Sequence, residues 1–113
     1  MVIVEITPSL YFEINKIFKN ESTEIFKHLK TLENSPKKGK ILSNVGGIVL
    51  KELKYKNYRF YFITVGYKLN FFEEKELINL LIRFVRMSDK KNQQKTIEEI
   101  KYILKKIAPS GFD

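Results

Sequence analysis

The sequence predicts an α+β domain in the order β-α-α-β-β-β-α. Three observations predict it. A short β-branched run, Val2 to Ile6, precedes two stretches with apolar residues at helical spacing. Three consecutive strand-like runs with short links fill the middle of the chain. An apolar stripe of helical period, Ile97, Ile100, Ile103, Leu104 and Ile107, lies near its end. Strands that follow one another with short links favour a largely antiparallel sheet, with an N-terminal helical hairpin and a C-terminal helix packed on one side of it. The 113 residues, 43% of them hydrophobic, suffice for one core, and neither a repeat nor a linker divides residues 1–113.

Each element has its local reason. Thr7-Pro8 reads as an N-cap followed by proline at the first helical position. Leu10, Ile14, Ile17 and Phe18 mark a helix over 8–19. Asn20-Glu21-Ser22 breaks it, and Ile25, Leu29 and Leu32 mark a second over 22–34. Asn34-Ser35-Pro36 stops that helix, because the residue before proline is pushed out of the α region. Lys37 to Gly47, rich in Lys and Gly, reads as a loop. Ile48 to Lys56 and Tyr58 to Val65 read as strands joined at Lys56-Asn57, and Leu77 to Arg86 as a third, after a long connection over 66–76. Ser88 to Lys95 is polar, and Thr96 with Glu99 reads as a capping box for the last helix. Met87, Phe60 and Phe62 are expected in the core, Phe71-Phe72 in the core or as an exposed patch, and His28 at the surface.

Twenty-one Lys and Arg against thirteen Asp and Glu leave a net charge of +8. Residues 37–59 contribute +6 and residues 83–106 contribute +5, with near-neutral stretches elsewhere. Such a balance suits an acidic partner: nucleic acid, an anionic surface or an acidic protein. The chain has no Cys and one His, which excludes a disulfide framework, a thiol nucleophile, Cys-ligated zinc, a His-cluster metal site and a two-histidine ribonuclease. No apolar run approaches the ~18 residues of a membrane span, and the first residues lack a signal-peptide pattern. The expectation is a cytoplasmic protein with no membrane association, no metal and no cofactor.

Alternation along the strands places Glu52 and Lys54 with Ile48 and Leu50, and Arg59 with Tyr61 and Ile63. By the same parity Arg86 goes with Phe84 and Ile82, and Arg83 with Val85. Only three of the twenty-one basic residues are Arg. The planar guanidinium fork suits phosphate in a way that Lys does not replace.

Several segments together resemble the RelE/ParE superfamily of toxins, and its HigB-like branch most. They are Leu32 with Asn34-Ser35-Pro36, Gly39-Lys40, Glu52-Leu53-Lys54, Tyr58-Arg59-Phe60-Tyr61, Leu80-Leu81-Ile82-Arg83-Phe84-Val85-Arg86, and Glu99-Ile100. The resemblance spans residues 32–107. It departs from the pattern at Lys54, where the branch has Arg, and at Met87, where it has a second base. It implies a RelE-like fold and a toxin of a type II toxin–antitoxin pair, partnered by a cognate antitoxin. Most such relatives are ribosome-dependent, metal-free endoribonucleases that cut mRNA and stop translation. ParE-like relatives bind a protein target, DNA gyrase. A non-catalytic RNA-binding module with the same fold is the third reading.

On the nuclease reading the resemblance implies catalytic roles for Arg59 and Arg86 on the scissile phosphate, Lys54 as a further cation and Glu52 as general base. Glu52 is the only carboxylate within the first basic segment. A salt bridge from Glu52 to Arg59 or Lys54 is its structural alternative. Lys37, Lys38, Lys40, Lys51, Lys56, Arg83, Lys90 and Lys91 are the candidate RNA-binding surface.

Overall fold

The computed structural model describes the backbone of residues 2–68 and 78–111, and the side chains of 2–64 and 82–106. Strand β1, Val2–Ile6, leads into helix α1, Pro8–Phe18. Thr7 holds the extended N-cap backbone, but its buried hydroxyl finds no partner. Lys19 then turns to φ 49°, and Ser22 Oγ donates to its carbonyl at 2.6 Å, which starts α2, Ser22–Lys30. A tight turn over Thr31–Glu33 carries the chain to Pro36.

Four more strands follow: β2, Lys40–Val45; β3, Ile48–Tyr55; β4, Tyr58–Lys68; and β5, Ile78–Asp89. Helix α3 is Gln93–Gly111. The sheet order is β1-β5-β4-β3-β2, antiparallel throughout except for the parallel pairing of β1 with β5. The α+β class therefore holds, with a five-stranded mixed sheet.

Five sequence expectations are corrected. Lys37 to Gly47 is not all loop, because β2 occupies most of it. Gly46 and Gly47 form its two-residue turn to β3, both at positive φ (59° and 87°), and Asn44 Oδ1 accepts the Gly47 N–H at 3.2 Å. The last strand extends past Arg86 to Asp89. The final helix begins at Gln93, so Thr96 is not its cap. Thr96 Oγ1 instead donates to Asn92 O at 3.0 Å. The long connection begins later than 66, since β4 runs to Lys68; Phe71 and Phe72 lie outside the described residues.

The fifth correction concerns layers. One core, with Leu10, Ile14, Ile25 and Leu29 against Leu53, Phe60, Phe62 and Phe84, joins the helical hairpin to one sheet face. A second, with Ile97, Ile100 and Leu104 against Ile48, Leu50 and Tyr61, joins α3 to the other. The helices cover both faces rather than one. Alternation explains the split, since successive β4 residues Phe60, Tyr61 and Phe62 serve opposite cores. Met87 belongs to the hairpin-side core, as expected of it. His28 is half-buried, with its Nε2 3.1 Å from Lys54 O.

Candidate functional site

The strand register brings the predicted residues together on the α3 side of the sheet. Lys54 lies opposite Arg59, and Arg59 opposite Ser88. In the next row on that face, Lys40 lies opposite Glu52, Glu52 opposite Tyr61, and Tyr61 opposite Arg86. Directly opposed residues share a face and place their Cβ atoms about 5 Å apart. Three strands therefore converge Lys54, Arg59, Glu52 and Arg86 around one buried phenol, Tyr61.

Arg86 reaches this face through a bulge. Tyr61 pairs with Arg86 but Phe62 pairs with Phe84, so Val85 is an extra residue on β5. Simple parity puts Arg86 beside Phe84. The bulge resets the alternation, sending Phe84 into the hairpin-side core and Arg86 to the side of Tyr61.

Burial separates the members of the cluster. Glu52 is 2% exposed and Arg59 7%, whereas Lys54 is exposed and Arg86 half-buried. The Arg59 Nη1 donates to Tyr58 O at 3.1 Å and to Lys56 O at 3.4 Å, which holds the guanidinium in place. Its Nε and the Glu52 Oε2 are both buried with no hydrogen-bond partner. Among the described residues no ion pair joins Glu52 to Arg59 or to Lys54. Buried polar groups are nearly always satisfied, and an orphaned buried carboxylate or guanidinium carries a desolvation cost. Two orphans of opposite charge beside one phenol therefore set this face apart from the rest of the fold.

Tyr61 Oη and Ser88 Oγ are 2.8 Å apart and buried. Burial pushes the phenol pKa up; the Ser88 hydrogen bond opposes this, and the Glu52 charge adds to it. Tyr61 thus keeps its proton at neutral pH. Arg86 Nη2 donates to Glu99 Oε2 of α3 at 2.8 Å. That hydrogen bond holds the Glu99 carboxyl below the usual carboxylate range. Tyr61, Ser88 and Glu99 are the partners that sequence reasoning missed. The Tyr61 signal was present, because Tyr61 shares parity with Arg59. In the sequence Ser88 opens the polar link and Glu99 carries the capping-box signature.

The wider basic set divides. Lys37 and Lys38 are exposed but lie on the hairpin side, where Lys38 Nζ donates to Thr31 Oγ1 at 3.5 Å; Lys40 is exposed opposite Glu52 on this face, and Lys90 and Lys91 are exposed in the turn before α3. Lys51 does not join them. It is 8% exposed on the opposite, hairpin-side face, near the Phe62 ring, and donates to Lys37 O at 3.3 Å; burial lowers its pKa. Lys56 sits at the β3–β4 turn at φ 53°, ion-paired to Glu21 at 2.9 Å. Arg83 pairs with Glu5 at 3.0 Å. Both are exposed, and both are already neutralised.

Among the described residues no group of three or more His, Cys, Asp or Glu is placed to hold a metal ion, and no helix is long and apolar enough to cross a membrane. In comparisons with protein-family models, curated proteins and solved structures, nothing matches this chain.

Proposed function

We propose that the chain is a RelE-like toxin of a type II toxin–antitoxin pair, acting in the cytoplasm as a ribosome-dependent mRNA endonuclease without a metal. The observation that carries this reading is the convergence of Lys54, Arg59, Arg86 and Glu52 on one sheet face, with a buried carboxylate oxygen and a buried guanidinium nitrogen left unpartnered. Stored, unpaired charge of this kind is what a site for a charged transition state requires.

The reaction is transphosphorylation. Glu52 takes the proton of a ribose 2′-hydroxyl, whose oxygen attacks the adjacent phosphorus. Arg59 and Arg86 stabilise the charge that develops on the phosphoryl oxygens. The bond to O5′ breaks, and the exposed Lys54 ammonium supplies the proton to that leaving oxygen. The products are a 2′,3′-cyclic phosphate and a 5′-hydroxyl. Lys40, Lys90 and Lys91 extend the cationic surface towards ribosomal RNA, so affinity falls steeply with salt. An antitoxin with an acidic segment complements the same surface.

A second reading has its own observation. Glu52 and Arg59 are almost wholly covered on the α3 side, which favours an RNA-binding module of the same fold that does not cut. Expression of the wild type and of the Arg59→Ala/Arg86→Ala double variant in a bacterial host separates the readings. Growth arrest with mRNA cut at ribosomal A-site codons, abolished in the variant, supports the nuclease. Arrest with intact mRNA and a DNA-damage response indicates a gyrase-directed toxin. Absence of arrest overturns both toxin readings and leaves the binding module.

A further inference from the structure

Strand β5 outruns β1. Their last pair is Ile6 with Phe84, yet β5 continues to Asp89. In the notch that remains, between α1 and the start of α3, lies a hollow of about 340 Å³. Tyr58 and Met87 give it a ring and a thioether wall, and Glu13, Ser88, Asp89 and Asn92 give it polar groups.

Among the described residues no Lys or Arg lines this hollow, although the chain carries a net charge of +8. Its polar groups are mostly acceptors. Asp89 Oδ1 already takes the Asn92 backbone N–H at 2.8 Å and its Nδ2 at 2.9 Å. That arrangement uses one hydrogen of the Asn92 amide and leaves the Asn92 side-chain carbonyl, the second Asp89 oxygen and the Glu13 carboxylate to accept. The Ser88 hydroxyl is engaged with Tyr61, and Thr96 Oγ1 with Asn92 O. A ligand for this hollow is flat, stacks on an aromatic ring and offers donors.

We propose that the hollow is a guanine subsite for RNA bound at the adjacent cationic face, an inference that rests on the RNA reading above. Guanine presents N1–H and N2–H₂ side by side, a match for one carboxylate. Adenine and cytosine turn a ring-nitrogen lone pair towards the same oxygen, and uracil flanks its single donor with carbonyls. Tyr58 supplies the stacking face. Ser88 fixes the position, because it is a wall of the hollow and also the cross-strand partner of Arg59. A base seated here belongs to a nucleotide whose phosphate lies by Arg59 and Lys54. An arginine side chain of a partner protein offers a similar pair of donors. Arg59 and Lys54, in the cross-strand row of Ser88, together with the net charge of +8, attract RNA and repel a basic segment, which decides for the nucleotide.

The test is equilibrium binding of the labelled pentaribonucleotides UUGUU and UUAUU to the full chain, by fluorescence anisotropy. The wild type binds the guanine oligonucleotide about tenfold more tightly. Glu13→Gln with Asp89→Asn, which retains the acceptor for Asn92, brings the ratio to about one while the adenine oligonucleotide still binds. Equal affinities in the wild type, or a preference that survives the double variant, overturn the subsite and leave RNA binding itself standing. Failure of both RNAs to bind folded protein overturns the subsite together with the RNA reading. Tight binding of a penta-arginine peptide that is lost in the double variant overturns it in favour of a basic protein partner.

Discussion

Replacing Tyr61 by Phe removes one oxygen atom from the centre of the cluster. Tyr61 is fully buried, and its hydroxyl meets Ser88 Oγ at 2.8 Å. The loss has two parts: a net hydrogen bond of about 1 kcal/mol, and about 1 kcal/mol or more for the Ser88 hydroxyl left buried and unpaired. Tyr61→Phe therefore costs about 2 kcal/mol, and Ser88→Ala costs a similar amount because it strands the phenol instead. The double variant strands neither group and loses only the hydrogen bond, so its cost is about 1 kcal/mol, less than either single change. The coupling is then about 3 kcal/mol. With 113 residues at about 2.1 cal/mol/K each, about 2 kcal/mol lowers Tm by about 8 °C. The assay is urea and thermal unfolding of the four proteins by far-ultraviolet circular dichroism. Single effects that add to within about 0.5 kcal/mol would show that the two hydroxyls are not coupled, and would refute the packing assigned to this face.

Further outcomes follow from other positions. Gly39 sits at φ 99°, and a Cβ there would lie 2.8 Å from Phe62 Cζ and 3.0 Å from Glu52 O, whereas one on Gly47 (φ 87°) meets nothing within 4 Å. Gly47→Ala should then cost about 1–2 kcal/mol from φ alone and Gly39→Ala clearly more, with comparable losses in denaturant melts counting against the close approach at Gly39. Glu99→Gln breaks a pair in which both side chains are about 40% exposed, so stability changes little, while freed Arg86 tightens RNA binding several-fold in the anisotropy assay. Glu99 has its carboxyl held below the ordinary 4.5 by Arg86, so its contribution is present above pH 4.5 and is lost as pH falls through the lowered value; Glu99→Gln should flatten that part of the acid-unfolding curve. Tyr61 has its pKa raised above 10.0, chiefly by burial, so its contribution is present below pH 10.0 and lost as pH rises through the raised value, a loss that Tyr61→Phe should remove.

Much of the architecture was legible because it rests on local rules. Pro8, the Asn20 to Ser22 break and Pro36 bound the helical hairpin, and Lys56-Asn57 marks the β3–β4 turn. Strand β2 was hidden by composition. Its Lys40, Ser43 and Asn44 look like loop residues, and the Gly46-Gly47 pair between Val45 and Ile48 was the turn signal that outweighed them. Glu52 and Lys54 could be placed on one face by parity, and the two-residue turn at Lys56-Asn57 is what sets Arg59 opposite Lys54. Arg86 could not be placed by parity, because a bulge that adds Val85 leaves no mark in the hydrophobic pattern. The ion pair from Arg86 to Glu99 was equally hidden, since Glu99 with Thr96 carries the signature of a cap. The packing of α3 on the face opposite the hairpin is a tertiary choice, and the amphipathic stripe of one helix does not encode it.

The claim on which the rest depends is that Glu52, Arg59, Arg86 and Lys54 act together on an RNA phosphate. The most direct test adds the purified protein to ribosomes programmed with an mRNA carrying either ribose or a single 2′-deoxyribose at the A-site cleavage position. The account predicts cutting of the ribose message to a 2′,3′-cyclic phosphate and a 5′-hydroxyl, no cutting of the 2′-deoxy message, and loss of cutting in Arg59→Ala/Arg86→Ala. Cleavage of the 2′-deoxy message, products ending in a 5′-phosphate, or an intact ribose message would contradict it.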